Sequence, residues 1–73
     1  MIYEIDVDEN AKRIVVTKNF HHFVSAKEYK YKSYGFGHLT NHYDDGPKAF
    51  VIELQDGGEC LFNLENVSSI IYK

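Results

Sequence analysis

Apolar and polar side chains alternate strictly near both ends of this chain, and that alternation restricts it to short strands packed on one side. Tyr3, Ile5 and Val7 fall on one face of an extended segment, and Glu4, Asp6 and Asp8 fall on the other. This is the period-two signature of a strand with one face in a core and one in water. Phe50, Ile52 and Leu54 alternate with Val51, Glu53 and Gln55 in the same way. Asp56-Gly57-Gly58 follows. That is a hairpin signal, because a tight turn matched to strand twist needs positive φ, which glycine adopts at low cost. Glu59 to Phe62 then reads as the partner strand, with Cys60 and Phe62 inward on one face.

The remaining segments fill in around these. Asp8-Glu9-Asn10-Ala11 supplies turn residues, and Arg13 to Thr17 reads as a β-branched return strand. Asn63 to Val67 suits a single helical turn, and Ile70 to Tyr72 a short last strand. Residues 20–34 admit two readings. Phe20, Phe23, Val24, Lys27 and Tyr31 fall at helical spacing, with Ser25-Ala26-Lys27-Glu28 as a capping box. Tyr29 and Tyr31 also alternate with lysines at strand spacing, which favours a strand from about Lys27 to Tyr34. Gly35, Gly37, Asn41 and Asp44-Asp45-Gly46-Pro47 read as loop. The expected fold is therefore mainly β: a small five- to six-stranded barrel or strongly bent antiparallel sheet. A short helix near 20–32 is the competing reading and would make it a small α+β domain. The order of a long early loop, a distal hairpin, one helical turn and a terminal strand resembles SH3-like and Sm-like barrels, a resemblance of strand order that implies a fold and no particular task.

At 73 residues the chain is a single domain, 1–73. Its apolar runs are far shorter than the roughly 20 residues that span a bilayer, so no membrane role is expected. One cysteine cannot form an internal disulfide, and the first residues have neither the basic nor the apolar region of a secretory signal. These features lead to the expectation of a cytoplasmic protein.

Charge and aromatics single out the middle of the chain. Residues 1–19 carry a net −1, residues 20–48 a net +1 and residues 49–73 a net −3. The middle third holds all four histidines and seven of the eleven aromatics, Phe20, Phe23, Tyr29, Tyr31, Tyr34, Phe36 and Tyr43. The stretch Lys27-Glu28-Tyr29-Lys30-Tyr31-Lys32-Ser33-Tyr34-Gly35-Phe36-Gly37-His38 is the main candidate binding surface, with Tyr29, Lys30, Tyr31, Lys32, Tyr34, Phe36 and His38 as its contact residues. As a strand it would set Tyr29 and Tyr31 on one face and Lys30 and Lys32 on the other, and aromatic platforms beside cations suit single-stranded nucleic acid or a nucleotide. Lys32-Ser33-Tyr34-Gly35-Phe36-Gly37 resembles the RNA-binding strand of cold-shock domains, and His22-Phe23-Val24-Ser25-Ala26 resembles that family's second motif. The two strings occur in the reverse order from that family and cover 11 residues, so no family assignment follows.

The same residues serve a protein partner equally well, since tyrosine is an enriched interface anchor. In that reading Tyr29, Tyr31, Tyr34, Phe36 and Tyr43 form an exposed patch. Replacing Tyr31 and Tyr34 with alanine should then abolish partner capture without unfolding. Net negative charge and a small lysine group favour protein over nucleic acid, whose affinity is built from many phosphate contacts. The acidic strand face of Glu4, Asp6 and Asp8 adds a surface for a basic partner. A homodimer through an edge near Arg13–Thr17 or the C-terminus is a further expectation.

The histidines His21, His22, His38 and His42, with Asp44, Asp45 or Cys60, raise a remote metal reading. No established ligand spacing supports it, and no metal or other cofactor is assigned. No nucleophile elbow, phosphate loop or catalytic triad spacing occurs. The sequence reads as a small non-enzymatic binding module of adaptor or inhibitor type.

Overall fold

In a computed structural model, which describes residues 2–39 and 47–73, the chain is almost entirely strand. The elements are β1 (Ile2–Asp8), β2 (Arg13–Phe20), β3 (Phe23–His38), β4 (Lys48–Leu54), β5 (Glu59–Asn63) and β6 (Val67–Tyr72). A 3₁₀ turn at Leu64–Asn66 separates β5 from β6, and the Asn63 carboxamide oxygen accepts the Glu65 amide at 2.9 Å to start it. The six strands form one mixed sheet in the order β5-β4-β3-β2-β1-β6. All neighbours are antiparallel except β1 and β6, which run parallel.

The sheet curls into a half-barrel because β3 serves two partners in succession. Phe23 to Lys30 pair with β2, and Tyr31 to His38 pair with β4. The register shifts between Tyr31 and Ser33, and an extra residue on one strand bends it and strengthens its twist. The bend swings β4 and β5 over the inner face of β1 and β2. Phe62 of β5 thereby meets Tyr3 of β1 at 5.1 Å between ring centroids and Tyr29 at 6.3 Å. Tyr34 approaches Tyr72 of β6 at 6.1 Å.

The core is the inner face of this curl. Ile5, Val7, Ile14, Val16, Tyr31, Phe50 and Ile52 are buried together, with Tyr3, Tyr29, Tyr34, Leu54, Cys60, Phe62, Leu64, Val67 and Ile70 packed around them. The alternation of 3–8 and 50–55 lands as expected, apolar side inward. Each fully buried aliphatic or aromatic side chain contributes about 1.5–3 kcal/mol. Turn chemistry closes the hairpins. The Asp8 carboxylate accepts the Ala11 amide at 3.1 Å, and Lys12 takes a positive φ of 54° to end that turn. Gly57 sits at φ 95°, where a side chain is strained, and Asp56 accepts the Gly58 amide at 2.8 Å.

Four expectations need correction. No helix occupies 20–32; that stretch is the β2–β3 turn followed by continuous strand. A helix there would set Lys27 in its apolar stripe, whereas the strand sends Tyr29 and Tyr31 to the core. Gly35 and Gly37 lie in β3 instead of a loop; a side chain on Gly37 would meet the Val51 methyl at 3.1 Å, so its absence permits that close pairing. The sheet is mixed because β6 returns alongside β1 in parallel. Arg13–Thr17 lies between β1 and β3 and is no edge, whereas the C-terminal strand is one.

Candidate functional site

The expected patch of five exposed aromatics does not form, because alternation sends Tyr29 and Tyr31 inward and the register shift at Lys32 turns Tyr34 inward after them. Tyr31 is 3% exposed and belongs to the core, with Tyr34 edge-on at 5.2 Å and the Lys12 ammonium 5.9 Å from its ring. Tyr34 is half-buried, stacked on Phe50 at 5.8 Å, and its hydroxyl donates to the Glu9 carboxylate. Tyr29 is half-buried as well; desolvation first, then the neighbouring Cys60, push its hydroxyl above the ordinary phenol pKa. Phe36 alone of these is well exposed, at 64%, and it stands on the rim against Phe50 at 5.7 Å. Tyr43 lies outside the described residues, as does His42.

The lysines and histidines are similarly dispersed. Lys30 and Lys32 are exposed, and Lys32 faces Glu53 at 3.7 Å. His38 closes β3 opposite Lys48, at the far end of that strand from His21 and His22. Among the described residues no three of His, Cys, Asp and Glu gather as a metal site. On the outer face the acidic row persists, with Arg13 drawn to Asp8 at 3.5 Å and to Glu28 at 3.7 Å.

What the fold does gather is the β2–β3 arm. Phe20 pairs with Phe23 across the two-residue turn His21-His22. His21 takes φ 53°, the positive value that a tight two-residue hairpin turn needs at its first central position, and its ring lies edge-on to Phe20 at 4.6 Å. β4 reaches only to the level of Tyr31, so the arm projects beyond the sheet's second half with its tip uncovered. Phe20, Phe23 and Val24 are 45%, 75% and 71% exposed there.

The arm's inner face continues the core outward. The β1–β2–β3 register aligns Tyr3, Lys18 and Ser25 on one level, and Ile5, Val16 and Lys27 on the next. Tyr3, Val16, Lys18, Ser25, Lys27, Tyr29 and Phe62 line a cleft of about 230 Å³. Two lysines enter it and no carboxylate does. The Lys27 ammonium lies 5.2 Å from the centre of the Tyr29 ring, a cation–π distance.

The arm also leaves backbone unpaired. The Tyr31 amide donates to the Lys12 carbonyl at 3.2 Å, on the β2 side, and the Lys30 carbonyl accepts the Gln55 amide at 3.2 Å, on the opposite side. Backbone groups alternate in direction along an antiparallel strand, and the β2–β3 register runs unbroken from Arg13–Lys30 to Phe20–Phe23. Ser25, Lys27 and Tyr29 therefore bond β2, while Val24, Ala26 and Glu28 aim their N–H and C=O groups away from it. Among the described residues no strand pairs with that edge.

Phe20, Lys18 and the open edge were not singled out from sequence. The visible signal was Phe20-His21-His22-Phe23, two matched aromatics around a two-residue turn. The notable length of β3 gave no local signal, since its partners lie on both sides of it in sequence. Comparison with protein-family models, with curated proteins and with solved structures finds no match for this chain.

Proposed function

We propose that the protein is a small non-enzymatic binding module that engages a protein partner through the β2–β3 arm. The supporting observation is the apolar tip: Phe20 and Phe23 stand exposed as a cross-strand pair on the inner face, and Val24 stands exposed on the outer face beside them. Exposing three large apolar groups in a chain with so small a core is unfavourable unless something covers them. The outer acidic face of Glu4, Asp6 and Asp8 adds a second, electrostatic contact that steers a basic portion of the partner. Photo-crosslinking tests this reading. A benzoylphenylalanine placed at Phe23 should capture a discrete protein from extract, and one placed at exposed Lys48, opposite His38 at the far end of β3, should not. Capture that is equal at both positions, or absent from both, sinks the proposal.

Single-stranded nucleic acid is the alternative reading. It draws on Lys18 and Lys27 beside Tyr3, Tyr29 and Phe62, since stacked bases and paired phosphates need that combination. Retention of a decathymidylate probe at low salt, weakening steeply as salt rises, would favour it over the protein reading.

A further inference from the structure

We infer that the partner enters as an extended acidic segment that adds a strand to the open edge of β3, antiparallel to it and in line with β4. This rests on the protein-binding reading above and specifies how the arm is used. The edge residues Val24, Ala26 and Glu28 present donors and acceptors in the two-residue rhythm that only another strand can match. All six residues from Phe23 to Glu28 are exposed, so nothing in the described chain occupies that place. β4 stops opposite Tyr31, and the Gln55 amide already caps the Lys30 carbonyl. An added strand would therefore begin beside the β4–β5 turn, where Glu28, Tyr29, Lys30, Leu54, Gln55 and Asp56 enclose a hollow of about 250 Å³, and would run toward the tip.

Charge selects the occupant. Lys18 and Lys27 point into the inner cleft, and no carboxylate lines it. A second copy of the same arm would bring four lysines to the inner face of the joint, where no carboxylate lies, since Glu28 of the edge is on the outer face beside Arg13. An acid-bearing strand would instead neutralise the pair. Antiparallel geometry then sets an order along the partner: an acid opposite Lys27 at position i, a second acid opposite Ser25 and near Lys18 at i+2, and an apolar or aromatic residue opposite Phe23 at i+4. A parallel strand would reverse that order.

The test uses the full chain and a phage-displayed library of random linear dodecapeptides. The expected result is enrichment of acid-x-acid-x-apolar sequences in that direction. Ala26→Pro should weaken the selected peptides at least about tenfold. It removes an outward N–H that bonds nothing in the fold, at an edge position where proline is tolerated; an unchanged amide spectrum of the remaining residues verifies that. N-methylation of the peptide at i+1, opposite Ala26, should be as damaging, whereas at i+2 it should be harmless, and this arm of the test needs no change to the protein. Lys27→Glu should turn the selection toward basic residues.

Several outcomes overturn the inference. Peptides that bind Ala26→Pro undiminished would leave the apolar tip as a binding surface and remove strand addition. No enrichment, together with clean crosslinking at Phe23, would do the same, whereas failed crosslinking would remove the broader proposal. A concentration-dependent dimer that Ala26→Pro makes monomeric would assign the edge to a second copy, and decathymidylate competing for the cleft would assign it to nucleic acid.

Discussion

Truncating the same residue type at two places should separate core from arm. Phe50 is fully buried, between Tyr34 at 5.8 Å and Phe36 at 5.7 Å. Phe23 is 75% exposed at the hairpin tip. Phe50→Ala forfeits the transfer free energy of a whole ring and leaves a hole that the half-barrel can only partly close, a cost of about 3–5 kcal/mol. Phe23→Ala loses little that is buried and should stay within about 0.5 kcal/mol of the parent. For 73 residues the whole stability is about 4–11 kcal/mol, so the first change consumes much of it. Urea unfolding followed by circular dichroism reads this directly. With a slope near 1 kcal/mol/M, Phe50→Ala should move the midpoint down by about 3 M or more, or leave the chain unfolded in buffer. Phe50→Leu, as a milder probe, should fall between the two. Similar midpoints for Phe50→Ala and Phe23→Ala would refute both the placement of the core and the exposure of the arm.

Four other substitutions test separate features. Gly57→Ala should cost about 1 kcal/mol or more because φ there is 95°, whereas Gly35→Ala, with nothing within 4 Å of the added methyl, should be neutral to slightly stabilising in the same urea assay. The Ala11 amide, then Arg13, hold the Asp8 carboxyl below its ordinary value of 3.8. A group depressed on folding contributes stability that is present above the unfolded pKa and lost as pH falls through the folded one, so melting temperature should fall below about pH 4, less so in Asp8→Asn. The Tyr34 hydroxyl is raised to about 12, chiefly by its hydrogen bond to Glu9. Its contribution is full below pH 10 and lost as pH rises toward 12; phenolate absorbance should show this tyrosine ionising late, and earlier in Glu9→Ala.

The parts of the fold that could be read from sequence were those fixed by local rules. Period-two alternation placed Ile5, Val7, Phe50 and Ile52 inside, and Asp56-Gly57-Gly58 carried its own turn chemistry. The length of β3 was hidden because two of its local features point elsewhere. Ser25-Ala26-Lys27-Glu28 mimics a helix start, and Gly35 and Gly37 mimic a loop. The first signal is overridden by the β2 hairpin and the second by pairing with β4, which is farther along the chain. The pairing with β4 also explains the candidate site. A flat strand would put Tyr34 on the face opposite Tyr29 and Tyr31; the bulge at Lys32 instead brings all three onto the inner face, around the core. The exposed groups lie one hairpin earlier, at Phe20 and Phe23, where turn chemistry carried by His21 and His22 has no glycine to announce it.

Along its first half β3 carries an unpaired edge, and amide hydrogen exchange read by two-dimensional NMR on the native chain detects such an edge residue by residue. The amides should alternate: those of Ser25, Lys27 and Tyr29 should exchange at least about tenfold more slowly than those of Val24, Ala26 and Glu28, because only the first three are bonded to β2. Equal protection of all six would show the edge to be covered, and equal exposure of all six would show that the arm is not paired with β2; either result contradicts the account.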